Sequence, residues 1–190
     1  MAKSPVMYAA LLRGINVSGQ KPIKMSALAA LFESLGYSEV ETYIQSGNVV
    51  FGSPRNSSSG IAEAIESGIK KTFGYDVAVV VRRFDELDSI IRACPFIGRS
   101  AVDHARIYVT FLSSLPSRES CEKLLAISLK NSTDEFIISG EEIYVHCPNG
   151  YGNTQLSNTF FEKNLKIRST TRNWKTVTTL SSMAGGAASA

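Results

Sequence analysis

The chain has 190 residues, 44% of them hydrophobic and 19% charged, with three cysteines and a formal net charge of +3. That length can bury a real core as one large domain or two small ones, and the composition is that of an ordinary globular protein, not a disordered or disulfide-framed one. No apolar run is long enough to span a bilayer, and "MAKSPVMYAALLRG" is too short in its apolar part for a signal peptide, so a cytoplasmic protein with no membrane partner is expected.

The charge is uneven. Four basic residues and no acid precede Glu33 (Lys3, Arg13, Lys21, Lys24), and five basic residues and no acid follow Glu162 (Lys163, Lys166, Arg168, Arg172, Lys175). The stretch between holds 11 basic and all 17 acidic residues, a balance of −6. If folding brings the two ends together, they form one basic face.

In chain order, "VMYAALL" (6–12) is almost wholly apolar, which predicts a central strand buried on both faces. A polar loop, "RGINVSGQKPIK", follows. Ser26 as N-cap, with Leu28, Leu31, Phe32 and Leu35 at helical spacing and Gly36 as stop, predicts a helix. "VETYI" (40–44) and "NVVF" (48–51) flank Ser46-Gly47, a hairpin signal. Ile61, Ile65, Ile69 and Phe73 mark an amphipathic helix over 60–73, and "DVAVVV" (76–81) another strand. The order β-α-β-β-α-β is the ferredoxin-like pattern. Its first crossover makes strands one and two parallel, so the loop after strand one and the hairpin "QSGN" meet at one end of the sheet.

The second half starts with a helix at 85–94, capped by Asp85, and a strand at 105–112. A helix near 117–129, the strand "EFIIS", a turn at Gly140-Glu141 and the strand "EIYVHC" complete a second β-α-β-β unit. "YIQSGNVVF" (43–51) and "FIISGEEIY" (136–144) share a spelling, which raises an internal duplication; two hairpins that chose the same turn residues explain it equally well. Two helices close the chain. Thr154 is the expected cap of the first, which carries Leu156, Phe160 and Leu165; the second runs from about 173 to 183 with Trp174, Val177 and Leu180 in a stripe. The expected architecture is thus α+β: a ferredoxin-like βαββαβ unit over 1–83, a βαββ unit with two C-terminal helices over 84–183, and a disordered tail at 184–190.

Chemistry concentrates in three places. "STTRNWKTVTTL" (169–180) reads as a helix start at which Arg172 and Lys175 oppose the helix dipole by roughly 0.3–1 kcal/mol each, a cost that a bound phosphate or carboxylate would reverse. "GYG" (150–152) before a helix is a second possible anion nest, though a plain turn is the simpler reading. The third place is the sheet end where topology gathers Arg13, Asn16, Lys24, Gln45, Ser46 and Asn48; such a cluster binds a polar ligand or satisfies its own loop backbones. His146 and Cys147 are neighbours on a strand and point to opposite faces. No nucleophile elbow, zinc motif, C-x-x-C or acid–base pair occurs, and no cofactor or metal is expected.

"YAALLRGINVSGQKPIKM", "TYIQSGNVVF" and "TTRNWKTV", in that order and spacing, resemble the bacterial domain-of-unknown-function 1697 family over nearly all of residues 6–183. The resemblance implies an α+β fold and no established activity. It maps the family's signature onto Arg13, Gly14, Asn16, Lys24, Met25, Gln45, Ser46, Gly47, Asn48, Thr171, Arg172, Asn173 and Trp174. Two departures stand out. Asn153, Thr154 and Gln155 occupy positions where similar sequences carry a basic residue, a Ser and a Lys, and Ser18 stands where they carry Gly.

Three functions compete. The first is a binding module for an anionic ligand, such as a small phosphate or carboxylate compound, a nucleotide or a nucleic-acid backbone, in a basic pocket of Arg13, Asn16, Lys24, Gln45, Ser46, Asn48, Arg172, Asn173, Trp174 and Lys175. The low net charge weighs against strong nucleic-acid binding. The second is an enzyme acting on a phosphorylated substrate, for which no base or nucleophile is visible. The third is an interaction module in which these motifs only pin loops. The oligomeric state is not legible.

Overall fold

The structure is a computed structural model that describes residues 5–17, 19–54, 57–127, 129 and 132–186. The chain divides into two compact units, Met1–Ser89 with Thr179–Ala190, and Ile90–Thr178.

The first unit contains β1 (Val6–Leu12), α1 (Met25–Ser34), β2 (Ser38–Tyr43), β3 (Asn48–Ser53), α2 (Ser58–Phe73) and β4 (Val79–Arg83). Its sheet has the order β2-β3-β1-β4 with every neighbouring pair antiparallel. This is the interleaved arrangement expected from two crossovers that each leave room for a third strand. β1 is central, and Tyr8 to Leu12 are all fully buried, as an unbroken apolar run requires. One face, with Tyr8, Ala10, Leu12, Val49, Phe51, Val79 and Val81, packs on Leu28, Leu31 and Phe32 of α1 and on Ile61, Ile65 and Ile69 of α2. Phe51 centres an aromatic cluster, with ring centroids 5.1 Å from Phe32 and 4.7 Å from Tyr37. Such pairs add about 0.5–1.5 kcal/mol each beyond the area they bury. α1 begins at Met25 with Lys24 at the N-cap and no side-chain cap, so Ser26 is inside the helix and does not cap it. Ser57 caps α2 by accepting from the Gly60 amide, and Gly74, at φ +77°, ends it.

The second unit contains β5 (Ile107–Leu112), α4 (Arg118–Leu125), β6 (Glu135–Ser139), β7 (Glu142–His146), α5 (Asn158–Leu165) and β8 (Ser169–Asn173). Its sheet order is β6-β7-β5-β8, again all antiparallel. Leu112, Ile143, Val145 and Cys147 pack with Leu124 of α4 and with Phe161 and Leu165 of α5. α3 (Phe84–Arg92) and α6 (Trp174–Gly186) directly continue β4 and β8. Part of the tail expected at 184–190 is thus helical to Gly186, and 187–190 lie outside the described residues.

The α+β class stands, and the second unit gains a strand. Ser169–Asn173, read from sequence as a helix start, is β8, paired along β5 with Val109 opposite Arg172. A five-residue polar segment shows no apolar alternation; what makes it a strand is the open edge of β5 and the β-branched Thr170 and Thr171. A second correction concerns α5. It starts at Asn158, capped by Ser157, whereas Thr154 donates to Asp134 Oδ2 and accepts from the Leu156 amide.

The two sheets are equivalent by register. Tyr8 faces Arg83 and Ala9 faces Arg82 in the first; Tyr108 faces Asn173 and Val109 faces Arg172 in the second. The equivalent Arg82 and Arg172 each donate from Nη1 to the preceding carbonyl, Val81 O and Thr171 O, at 3.0 Å. The shared hairpin spelling, by contrast, is out of register. Leu11 faces Asn48 and Phe111 faces Glu142, so Asn48 corresponds to Glu142, whereas the spelling sets it on Glu141. The first hairpin closes with four residues (44–47) and the second with two (140–141).

Candidate functional site

At one end of the first sheet, the loop of residues 13–24 and the hairpin of 44–47 come together, as the parallel course of β1 and β2 dictates. The Leu12 amide donates to Gly47 O at 2.8 Å and fixes the hairpin against β1. Gly47 has φ +79°, and a Cβ there would lie 2.8 Å from Leu12 Cβ and 2.9 Å from Ile15 Cγ1. Only glycine satisfies both the conformation and the space.

Asn16 is the clasp of the loop. Its φ of +54° suits an asparagine better than other non-glycine residues. Its Nδ2 donates to Ile23 O and to Gln45 O, both at 2.9 Å, and its Oδ1 accepts from the Ile23 amide at 2.8 Å. One carboxamide thus closes the loop on itself and ties it to the hairpin. Asn48 is fully buried, and its Nδ2 donates to Tyr43 O and Ser46 Oγ, both at 3.2 Å. The backbone amide of Arg13 donates to Ala78 O at 2.9 Å.

Between loop and hairpin lies a cleft of about 510 Å³ lined by Asn16, Pro22, Ile23, Lys24, Met25 and Gln45. Three of the residues expected in the site, Asn16, Lys24 and Gln45, therefore share a wall. Ser46 and Asn48 sit in the supporting turn and Arg13 at the start of the loop. The side chains of Lys24 and Gln45 are exposed and make no hydrogen bond or ion pair within the described residues. Pro22 and Ile23 were not singled out by sequence, and Met25 only through the resemblance; the lone available signal was their place in a polar loop too long for a simple connection.

The other expected residues belong to the second unit. Arg172 is half-buried on β8, where Nη1 also donates to Thr170 Oγ1 at 2.8 Å, and burial pulls its pKa down to about 10. It does not sit at a helix start. α6 begins at Trp174, and Asn173 Oδ1 accepts from the Thr176 amide at 2.8 Å, so an ordinary cap occupies the position where an anion was expected. Trp174 is buried and Lys175 exposed in the first turn. Next to Arg172, Thr171 Oγ1 is shared by Thr110 Oγ1 at 2.7 Å, Asn158 Oδ1 at 2.8 Å and Tyr151 Oη at 3.1 Å. Sequence reasoning missed this network. It also explains "GYG" differently: Tyr151–Asn153 is a single 3-10 turn five residues before α5, and it serves to deliver the Tyr151 hydroxyl.

Among the described residues, no helix is long and apolar enough to cross a membrane. No curated protein matches the chain. A solved structure described as a conserved bacterial protein from Streptococcus pneumoniae has the same fold, with a TM-score of 0.70 at 23% identity, covering 94% of this chain and 98% of its own. The family model described as "Protein of unknown function (DUF1697)" matches residues 6–144, which include the loop, the hairpin and all four strands of the first sheet, and the chain belongs to that family.

Proposed function

We propose that the first unit binds a small anionic ligand, carrying a phosphate or carboxylate group, in the cleft between the 13–24 loop and the 44–47 hairpin. The observation that carries this reading is a division of labour among the polar residues at this end of the sheet. Asn16, Gly47 and Asn48 are consumed by the scaffold, whereas the side chains of Lys24 and Gln45, both on the cleft wall, are committed to nothing within the described residues. A lysine and a carboxamide carried on a heavily bonded loop have their backbone positions set in advance, so a ligand has only the two side chains to order. Lys24 also stands at the start of α1, which has neither a side-chain cap nor an acidic residue in its first turn, so the dipole adds to the attraction for negative charge.

The structural alternative accounts for the scaffold half of the motif. Asn16 and Asn48 pin loops and need no ligand to explain them. It leaves Lys24 and Gln45 without a reason. Thermal shift of the parent and of Lys24→Ala against a panel of phosphate- and carboxylate-bearing compounds separates the two. At least one compound is expected to raise the parent's Tm by a few degrees and leave the variant unmoved, with the apo Tm values of the two proteins within about 2 °C, as for an exposed side chain. Identical responses of both proteins to every compound would remove the anion site and leave the scaffold reading alone.

A further inference from the structure

The cleft has a second property, which rests on the anion-binding reading and narrows it. Its volume of about 510 Å³ falls in the range of roughly 300–1,000 Å³ that encloses organic small molecules, far more than an inorganic anion fills. Its wall is also divided. Pro22, Ile23 and Met25 supply an apolar side, and Lys24 and Gln45 the polar one. The sixth lining residue, Asn16, offers little, because both its nitrogen and its oxygen are engaged by Ile23 and Gln45 backbone groups. Among the described residues, the charged side chain on the wall is therefore a single ammonium, with one uncommitted carboxamide also lining it. A phosphate dianion would have one cationic side chain for two charges, with the helix dipole as the sole further positive contribution among the described lining groups, and would leave the apolar wall uncovered. A carboxylate on an apolar body would match both.

We infer that the ligand class of this cleft is an organic monocarboxylate, its carboxylate on Lys24 and Gln45 and its hydrocarbon or aromatic body against Pro22, Ile23 and Met25. The single positive charge selects the head, and the apolar wall selects for a body beyond it. Inorganic anions are then poor ligands even though the site is electropositive.

Four probes resolve this by titration into the ¹⁵N-labelled full chain, read from the amide shifts of residues 14–21, 23–26 and 44–48. Phenylacetate carries head and body, acetate the head alone, phenylacetamide the body without charge, and inorganic phosphate charge without a body. Phenylacetate is expected to shift these amides with an affinity at least tenfold above each of the other three, and Lys24→Gln is expected to lower its affinity about tenfold. Acetate binding as tightly as phenylacetate would overturn the apolar body, and phosphate doing so the monocarboxylate class; either result, with Lys24→Gln still weakening binding, would leave an anion site. Phenylacetamide binding as well as phenylacetate, or no probe shifting these amides, would overturn the inference and the anion site together.

Discussion

The two units are built on one plan and finished differently at one end. In the second, β5 reaches α4 through five residues (113–117) and the hairpin β6–β7 turns in two. In the first, the same connections take twelve residues (13–24) and four (44–47). Both extensions are at the same sheet end, and they contribute five of the six described cleft residues; the sixth, Met25, is the first residue of α1 directly after the longer one. The shorter connections are what the topology minimally needs. The extra residues carry their own cost, seen in three non-glycine positions at positive φ, namely Asn16, Lys21 and Ile44. Ile44, β-branched at φ +47° and 51% exposed, is the clearest case, at roughly 1–3 kcal/mol. The second unit thus serves as an internal reference for the first: what the plan needs appears in both, and what is specific to the site appears once.

The hairpin glycines test this most severely. Gly47 and Gly140 both have positive φ, at +79° and +62°, but a Cβ at Gly47 collides with Leu12 and Ile15 whereas one at Gly140 meets nothing within 4 Å. Gly140→Ala should cost about 1–2 kcal/mol, the left-handed penalty alone. Gly47→Ala adds about 1–3 kcal/mol for forcing a methyl group into a packed core, for a total of about 2–5 kcal/mol. Urea unfolding of the two variants measures both. Equal losses would mean that the first hairpin is no more tightly set than the second.

Asn16 comes next. The five-residue loop of the second unit is too short to need such a clasp. Asn16→Gly keeps the backbone conformation accessible and removes all three side-chain hydrogen bonds, which predicts a loss of about 2–3 kcal/mol. If the variant loses less than about 1 kcal/mol, the loop is held by something other than this carboxamide. Lys24→Ala, which removes only an exposed side chain, should stay within about 0.5 kcal/mol of the parent.

The same comparison shows what was legible in the sequence. β1 was readable because seven consecutive apolar residues have one stable placement, the middle of a sheet. α2 was readable because isoleucines recur every fourth residue. β8 was not, since "STTRN" acquires its structure from the edge of β5 and its buried face is hydroxyl. The duplicated plan was suggested by the wrong evidence. Ser-Gly in both hairpins reflects a shared need for a positive-φ glycine within turns of different length, and the true correspondence, Arg82 with Arg172, lies in strand register. As for the site, topology alone brought Asn16, Lys24 and Gln45 to one place. It could not say which of them the scaffold uses up, because that depends on the path by which the loop closes. Nor could it reveal Pro22, Ile23 and Met25 as a wall.

A pH-dependent effect isolates the second unit. All three cysteines belong to it, and Cys147 is fully buried in its core. Burial, helped by the nearby Asp134 carboxylate and opposed by the Thr154 hydroxyl, pushes the Cys147 thiol up to about 11 from an ordinary value of 9.0. The neutral thiol is therefore favoured in the folded state. Its contribution is complete below pH 9 and is lost as the pH rises towards 11, because the unfolded chain releases its proton first. Between pH 8 and pH 10.5 the parent should lose more stability than Cys147→Ala, by no more than about 2 kcal/mol. Tyr8 and Tyr144, whose hydroxyls burial also raises, titrate in both proteins and cancel from the difference. Urea unfolding at the two pH values measures it, and the fall should not depend on phenylacetate if that ligand occupies the first unit. Equal alkaline losses in parent and variant would show that this thiol exchanges its proton in the folded state as easily as in the unfolded one, and that the core around Cys147 is more open than its burial implies.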